Sequence, residues 1–384
     1  MSNILFTEEQ KMVQELTRKI AREKIAPVAA EYDEKEEFPW PIVKILAESD
    51  IFGVYIAEKY GGMGGGVFEM AIATEELSWG CGGISLAFAA TGLGTFPIIL
   101  FGNDEQKKKY LTRIAKGTVA AFCITEAEAG SDAGSIKTTA VKDGDHYILN
   151  GTKQWITNGG EADIYTVIAM TDKKKGARGA TAFIVEKGTK GLDFGKKEKK
   201  LGIRGSATRE VIFTDCRVPK ENVISKEGMG FIVAMKTFDY SRPGVAAQAL
   251  GIAQRALDES VKYAHERKQF GKSISSFQGI QFMLADMAIQ VEAARAIVYR
   301  SAQIVDAGEK NIAKLSATAK TFASDVAMKV TIDAVQIFGG YGYMREYPVE
   351  KLMRDAKITQ IYEGTNQIQR GVIAASLIKE LKQK

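Results

Sequence analysis

One carboxylate stands out in this 384-residue chain as able to do chemistry: Glu363, in Tyr362-Glu363-Gly364-Thr365, where a carboxylate could serve as a general base. Taken alone, such a glutamate is a solvated surface acid. The other reactive residue types narrow the chemistry by exclusion. Two histidines, His146 and His265, lie far apart without HxxxH or HExxH spacing, so neither a histidine metal site nor a Ser-His-Asp triad is supported, and no metal is expected. Cys81, Cys123 and Cys216 are odd in number and widely spaced, which argues against a disulfide framework or CxxC zinc pairs and fits a reducing compartment. The run Gly61-Gly62-Met63-Gly64-Gly65-Gly66 lacks the Gly-Lys-Ser/Thr ending of a phosphate loop and the GxGxxG spacing after a strand, so it reads as a plain loop. A net charge of +5 arises from clusters at Lys107 to Lys109, Lys173 to Lys175 and Lys196 to Lys200, without interleaved aromatics. These read as solvated surface, and no nucleic-acid partner is expected.

The elements that must position such residues divide the chain in three. Cores usually split near about 250–300 residues, so more than one domain is expected. With 45% hydrophobic and 26% charged residues the composition is that of a soluble globular protein, and no apolar run approaches the ~18 residues of a membrane span. MSNILFTEEQ carries neither a basic leader nor an Arg/Ser-rich presequence, so a cytoplasmic protein, or a chain already processed, is expected. Residues 1–116 read as helices. Thr7 and Gln10 have capping-box form, Met12, Val13, Leu16, Ile20 and Ile25 share one helical face up to Pro27, and residues 67–102 are charge-poor enough to face an interior. Residues 117–227 read as a middle antiparallel β domain of short apolar runs separated by DG, NG and GG signals. Residues 228–384 return to long helical periodicity and read as a C-terminal four-helix bundle, with Pro243 expected to kink or reset its first helix. The expected fold class is therefore α+β multidomain.

Two long motifs carry a family resemblance. Cys123 to Ser135, CITEAEAGSDAGS, and Gln336 to Tyr343, QIFGGYGY, followed by Glu346, Lys351 and Asp355, closely resemble the two signatures of acyl-CoA dehydrogenases. The resemblance continues through WITNGG at Trp155 to Gly160, ERKQFGK at Glu266 to Lys272 and IYEGTNQIQR at Ile361 to Arg370, and so spans essentially the whole chain. It implies FAD-dependent α,β-dehydrogenation of an acyl-CoA to the 2-enoyl-CoA, with electrons passed to an electron-transfer flavoprotein. No side chain accepts hydride, so a cofactor must. The family binds FAD without a Rossmann fingerprint, consistent with the missing GxGxxG.

Carried onto this sequence, the resemblance makes Glu363 the base that takes the α proton, its proton affinity raised by desolvation. Its backbone N–H would bind the thioester oxygen, and Gly364 would let the chain approach it. Thr125 and Thr157 would hydrogen-bond the flavin edge, with Phe122, Ile124 and Trp155 shaping its slot. Thr365 and Gln367 would be further FAD contacts. Arg267, Gln269 and Phe270, with Gln278, Gln336, Gly339 and Gly340, would reach the diphosphate and adenosine across a subunit interface, which implies a dimer or a dimer of dimers, with a homotetramer the expected assembly. Ser131, Asp239 and Arg242 would bind the pantetheine and adenine of CoA, Ser131 also lying at the cofactor. Some relatives draw the base from the Asp-x-x-Arg helix segment, where this chain has Ser241, which leaves Glu363 unopposed.

The acyl pocket implied by the resemblance lies along Ser85 to Thr95, with Leu86, Ala89, Thr91 and Leu93 as lining residues and Tyr362 and Gly364 beside the base. It carries no charge. Relatives using dicarboxylyl substrates have an Arg where this chain has Ile84, so a neutral acyl group is expected. Small residues here could leave room for a short-to-medium chain or a ring, or could equally permit tight helix packing. The chain is similar to both butyryl-CoA and cyclohexane-1-carboxyl-CoA dehydrogenases. Thr91 and Glu363 argue against the ring-type 1,4-elimination, which uses an Asp near position 91. Two alternatives remain: an acyl-CoA oxidase of the same fold, against which stands the absence of a long C-terminal extension, and a non-catalytic acyl-CoA-binding relative.

Overall fold

Thr7 starts the first helix as the spacing predicts: its hydroxyl accepts from the Gln10 backbone N–H and the Gln10 side chain returns to the Thr7 N–H. The computed structural model describes residues 6–309 and 312–382, so residues 1–5, part of the stretch read for a leader, lie outside it. The N-terminal helices are α1 (Glu8–Ile20), α2 (Ala29–Lys35), α3 (Trp40–Glu48), α4 (Val67–Gly80), α5 (Leu86–Phe101), α6 (Asp104–Gln106) and α7 (Thr112–Ala115). Val13, Ile20 and Ile25 are buried, but Met12 and Leu16, expected on the same face, are 60% and 39% exposed. After Ile20 the chain loosens into a π turn at Ala21–Ile25, which re-aims Ile25 into the core without extending the straight apolar stripe.

Helices α4 and α5 are buried nearly all round, as their lack of charge requires. The three acids of α4 are each partnered. Glu69 accepts from the Gly66 backbone N–H and from Gln10, Glu75 from Arg295 and Tyr299, and Glu76 from Arg18. The glycine run before α4 is a loop, with positive φ at Gly61 and Gly64.

The middle strands are β1 (Ala120–Cys123), β2 (Thr139–Asp143), β3 (His146–Thr157), β4 (Ile164–Met170), β5 (Ala180–Glu186), β6 (Leu192–Lys197), β7 (Thr208–Pro219) and β8 (Val223–Ile224). They form one sheet in the order β6-β7-β3-β2-β4-β5-β8. Most pairs are antiparallel, but the sheet is mixed: β1 runs parallel to β4, and β2 meets β4 in parallel at Thr139 and Met170. β4 is buried throughout and β5 nearly so, because both faces of the sheet are covered, and they read as continuous apolar runs for that reason. Lys200, grouped above with the surface lysines, is half-buried and donates to the Ser206 carbonyl.

The C-terminal part contains α8 (Gly230–Glu266), the hairpin β9 (Lys268–Gln269) and β10 (Lys272–Ser273), then α9 (Gln278–Asp306), α10 (Ile312–Phe338), α11 (Val349–Thr359) and α12 (Asn366–Leu381). α8, α9, α10 and α12 make the bundle, with α10 at its centre and α11 against it. α8 runs unbroken through Pro243, where a reset was expected. The proline leaves the Asp239 carbonyl without its helical donor, and the Ser316 hydroxyl of α10 fills the gap at 2.8 Å. α11 joins the three parts. Asp355 accepts a hydrogen bond from the Ile203 N–H at 2.5 Å and pairs with Lys351, whose ammonium reaches Cys81, while Arg354 holds Asp33 of α2. All three cysteines are buried and free, and among the described residues no helix is long and apolar enough to cross a membrane.

Candidate active site

A cavity of about 420 Å³ opens where the three parts meet. α5 supplies an apolar wall of Leu86, Ala89, Ala90 and Leu93. β1 and the loop beyond it supply Phe122, Ile124, Thr125 and Ser131, β3 supplies Trp155 and Thr157, and α8 supplies Ser241, Arg242 and Gln248. The segment after α11 supplies Tyr362, Glu363 and Gly364.

The β3 side of this cavity is built by an irregularity. Its pairing with β7 shifts register between Lys153 and Ile156, Trp155 takes a left-handed backbone with φ 55°, and its ring is left 57% exposed. Lys153 is fully buried beneath, donating to the Ile124 carbonyl at 3.0 Å and to Glu126 at 2.8 Å. The Glu126 carboxylate also accepts the backbone N–H groups of Lys137 and Thr138, so one buried pair fixes both ends of the loop carrying Thr125 and Ser131. Burial pushes the Lys153 ammonium below its ordinary range, against the pull of Glu126.

Glu363 sits on a strained turn, with φ 53° at Glu363 and 95° at Gly364. Ser241 donates to its carboxylate, and its carbonyl accepts from Gln369 at 2.9 Å and Arg242 at 3.3 Å. The residue keeps some surface on the cavity, yet the protein around its carboxyl is dense. Burial raises its proton affinity, with Ser241, Arg242 and Lys320 opposing in that order. A carboxylate held this way is a stronger base than one in water and remains supplied with hydrogen-bond donors. Tyr362 donates to Gln248, whose amide in turn donates to the Gly82 carbonyl at 2.8 Å, closing the cavity beside α5. Arg242 is buried and pairs with Asp239 at 3.3 Å.

Several residues named from the sequence lie outside this cavity in one chain, those assigned to a subunit interface among them. Thr91 is fully buried and does not line the cavity: its hydroxyl donates to the Ala87 carbonyl and accepts from the Ala120 N–H, joining α5 to β1. Ile84 is likewise sealed in the core. Thr365 caps α12 by accepting from Ile368, and Gln367 is exposed on that helix. Asp239 stands behind Arg242 and off the lining. Arg267, Gln269, Phe270, Gly339 and Gly340 form a separate open groove at the ends of α8 and α10, with Phe270 93% exposed and Arg267 over the Tyr341 ring at 5.3 Å. Gln278 and Gln336 are exposed just outside it. Within one chain, this groove shares no lining residue with the first cavity.

Sequence reasoning missed Gln248, Gln369 and Lys320. Gln369 lay inside the quoted IYEGTNQIQR run. The signal for Lys320 was a charge at helical spacing between Ala317 and Ser324, on a face that is buried.

Residues 7–118, 121–216 and 228–378 match the acyl-CoA dehydrogenase N-terminal, middle and C-terminal domains. The short-chain specific acyl-CoA dehydrogenase of Clostridium acetobutylicum is 49% identical over 375 residues, 97% of this chain and 99% of that protein. The solved butyryl-CoA dehydrogenase of Megasphaera elsdenii is 48% identical with a TM-score of 0.96, covering 98% of this chain and 100% of that one. A chain solved in work on the electron transferring flavoprotein of Acidaminococcus fermentans, directed at flavin-based electron bifurcation, is 51% identical with a TM-score of 0.96, covering 98% and 99%. With three domains matched in order over nearly its full length, this chain belongs to the acyl-CoA dehydrogenase family and is an oxidoreductase of that family.

Proposed function

We propose that this chain converts a neutral short- or medium-chain or alicyclic acyl-CoA to its 2-enoyl-CoA. The observation that carries this reading is Glu363: a desolvated carboxylate, held by Ser241, in one cavity with the uncharged wall Leu86, Ala89, Ala90 and Leu93. Glu363 takes the α proton. Its backbone N–H and the left-handed turn at Gly364 favour a thioester oxygen drawing close. Arg242, buried and oriented by Asp239, and Ser131 at the loop hold the CoA portion.

The residues present fit FAD. The half-exposed Trp155 ring, with the Thr125 and Thr157 hydroxyls and the Phe122 and Ile124 side chains, offers a flat apolar slot with a polar edge, as a planar heteroaromatic group needs. Arg267, Gln269, Phe270, Gln278, Gln336, Gly339 and Gly340 would serve the diphosphate and adenosine of a partner subunit's FAD, a reading supported by their groove being open and separate from this cavity, and a dimer of dimers is the proposed assembly. Thr365 and Gln367 would complete that contact. When bound, FAD supplies the hydride acceptor for the β carbon. An electron-transfer flavoprotein is the proposed electron acceptor, supported by the likeness to the chain solved in the Acidaminococcus work.

The test is a panel from butyryl- to octanoyl-CoA plus cyclohexanecarboxyl-CoA, with an artificial acceptor and with flavin content measured. Full activity in Glu363→Gln, or a purified protein without flavin, would refute the proposal.

A further inference from the structure

Lys320 is fully buried in α10 and meets the Glu363–Gly364 turn at a carbonyl, whereas Ser241 meets it at the carboxylate. Its ammonium donates to the Gly364 carbonyl at 2.8 Å and to Asn366 Oδ1 at 2.9 Å. Neither acceptor carries a charge. The amide of Asn366 then donates to Ser324 Oγ at 2.9 Å and to Asp325 Oδ1 at 2.8 Å, and Asp325 is also held by Arg370 and Gln360. Among the described residues Lys320 therefore meets no carboxylate directly, while the carboxylate of Asp325 is engaged elsewhere. A buried ammonium without an ion-pair partner costs several kcal/mol, and a leucine would serve packing alone.

What the charge does face is the turn. Two successive residues there have positive φ, a conformation costing about 1–3 kcal/mol per non-glycine residue. Gly364's carbonyl is fixed by Lys320 and Gln369 together. We propose that Lys320 is a positioning residue for Glu363: it clamps the Glu363–Gly364 turn through the Gly364 carbonyl and supplies the buried positive charge that favours an ionised carboxylate. This rests on Glu363 being the base. The charged groups facing Glu363 are Arg242 from α8 and Lys320 from α10, with Asp239 behind the first and Asp325 behind the second. Burial pushes the Lys320 ammonium down to about 7, with Glu363 opposing, so the lysine's own charge is poised to vary with pH.

The experiment compares the flavin-loaded wild type with Lys320→Met, Lys320→Gln and Glu363→Gln. Its readouts are kcat, KM, a pH profile, and an infrared titration of the Glu363 carboxyl, identified by its loss in Glu363→Gln. In Lys320→Met, kcat is expected to fall roughly 10- to 100-fold with KM changed less than about threefold, and the carboxyl to titrate at higher pH. Lys320→Gln keeps a donor for the Gly364 carbonyl but no charge. It is expected to recover part of kcat while its carboxyl still titrates high. An unshifted carboxyl in both variants overturns the proposal, as does loss of folding in both, which would make Lys320 structural only. Full activity in Glu363→Gln instead refutes the base itself, a separate result.

Discussion

Replacing Gly364 by alanine tests how the base is held. A Cβ built there lies 2.4 Å from Nε2 of Gln369, well inside contact distance, and only 3.7 Å from an Arg242 nitrogen, which is ordinary packing. Gln369 is fully buried and cannot swing into solvent, so it must leave its bonds to the Glu363 and Gly364 carbonyls. Those bonds contribute about 0.5–1.5 kcal/mol each. The backbone adds about 1–3 kcal/mol, since φ 95° is glycine territory. A total of about 2–6 kcal/mol, at roughly 1.2 °C per kcal/mol for a chain of this size, lowers the Tm by about 2–7 °C. Displacing the turn by a fraction of an ångström should also lower kcat by roughly 10- to 100-fold. Thermal unfolding and steady-state assays of Gly364→Ala, Gln369→Ala and the double variant measure both. In the Gln369→Ala background the clash is gone and only backbone strain remains, so the two substitutions must be less than additive. Strict additivity, or a Gly364→Ala enzyme with wild-type Tm and kcat, refutes the reasoning.

Three further outcomes are expected. Ser241→Ala removes a donor that favours the ionised Glu363, so its proton affinity rises beyond what burial causes, and the acidic limb of the kcat/KM profile moves to higher pH; a shift the other way would contradict the assigned bond. Asp355→Asn leaves Lys351 buried without its carboxylate and should cost about 3–5 kcal/mol in chemical denaturation, with little effect on KM. Ser316→Ala should cost about 1–2 kcal/mol by orphaning the Asp239 carbonyl, but little in a Pro243→Ala background, where the helix regains its own donor; equal costs in both backgrounds would count against the role given to Ser316.

Much of this arrangement was legible because it is local. The capping box at Thr7 and Gln10, the uncharged α4 and α5, and the long periodicities of the bundle each record burial within a few turns of chain. The cavity wall from Leu86 to Leu93 could be anticipated from apolar character, but a helix presents only some positions to one side. Thr91 therefore faces β1, and Ile84, before the helix begins, faces the core. The neutral-acyl reading now rests on the lining residues themselves, not on position 84. Met12 and Leu16 each stand one position before the buried Val13 and Thr17, about 100° round the helix and so off the buried face, and no residue type announces the π turn that follows Ile20. Pro243 misled for a related reason. The disruption it causes is local, but its remedy, Ser316, lies in another helix. Lys320 and Gln369 belong to the same class, since their meaning depends on which carbonyl lies across the packing.

The short helix α11 has a consequence for how the cavity keeps its shape. Its neighbouring residues Arg354 and Asp355 grip opposite partners, Asp33 in the N-terminal helices and the Ile203 N–H beside the sheet, while Lys351 reaches Cys81. Swinging the helical part away from the sheet would pull a buried ion pair toward water and strand an amide, a cost of several kcal/mol. Clamshell breathing is thereby made rare. The helical and sheet walls of the cavity are held to each other through one short helix.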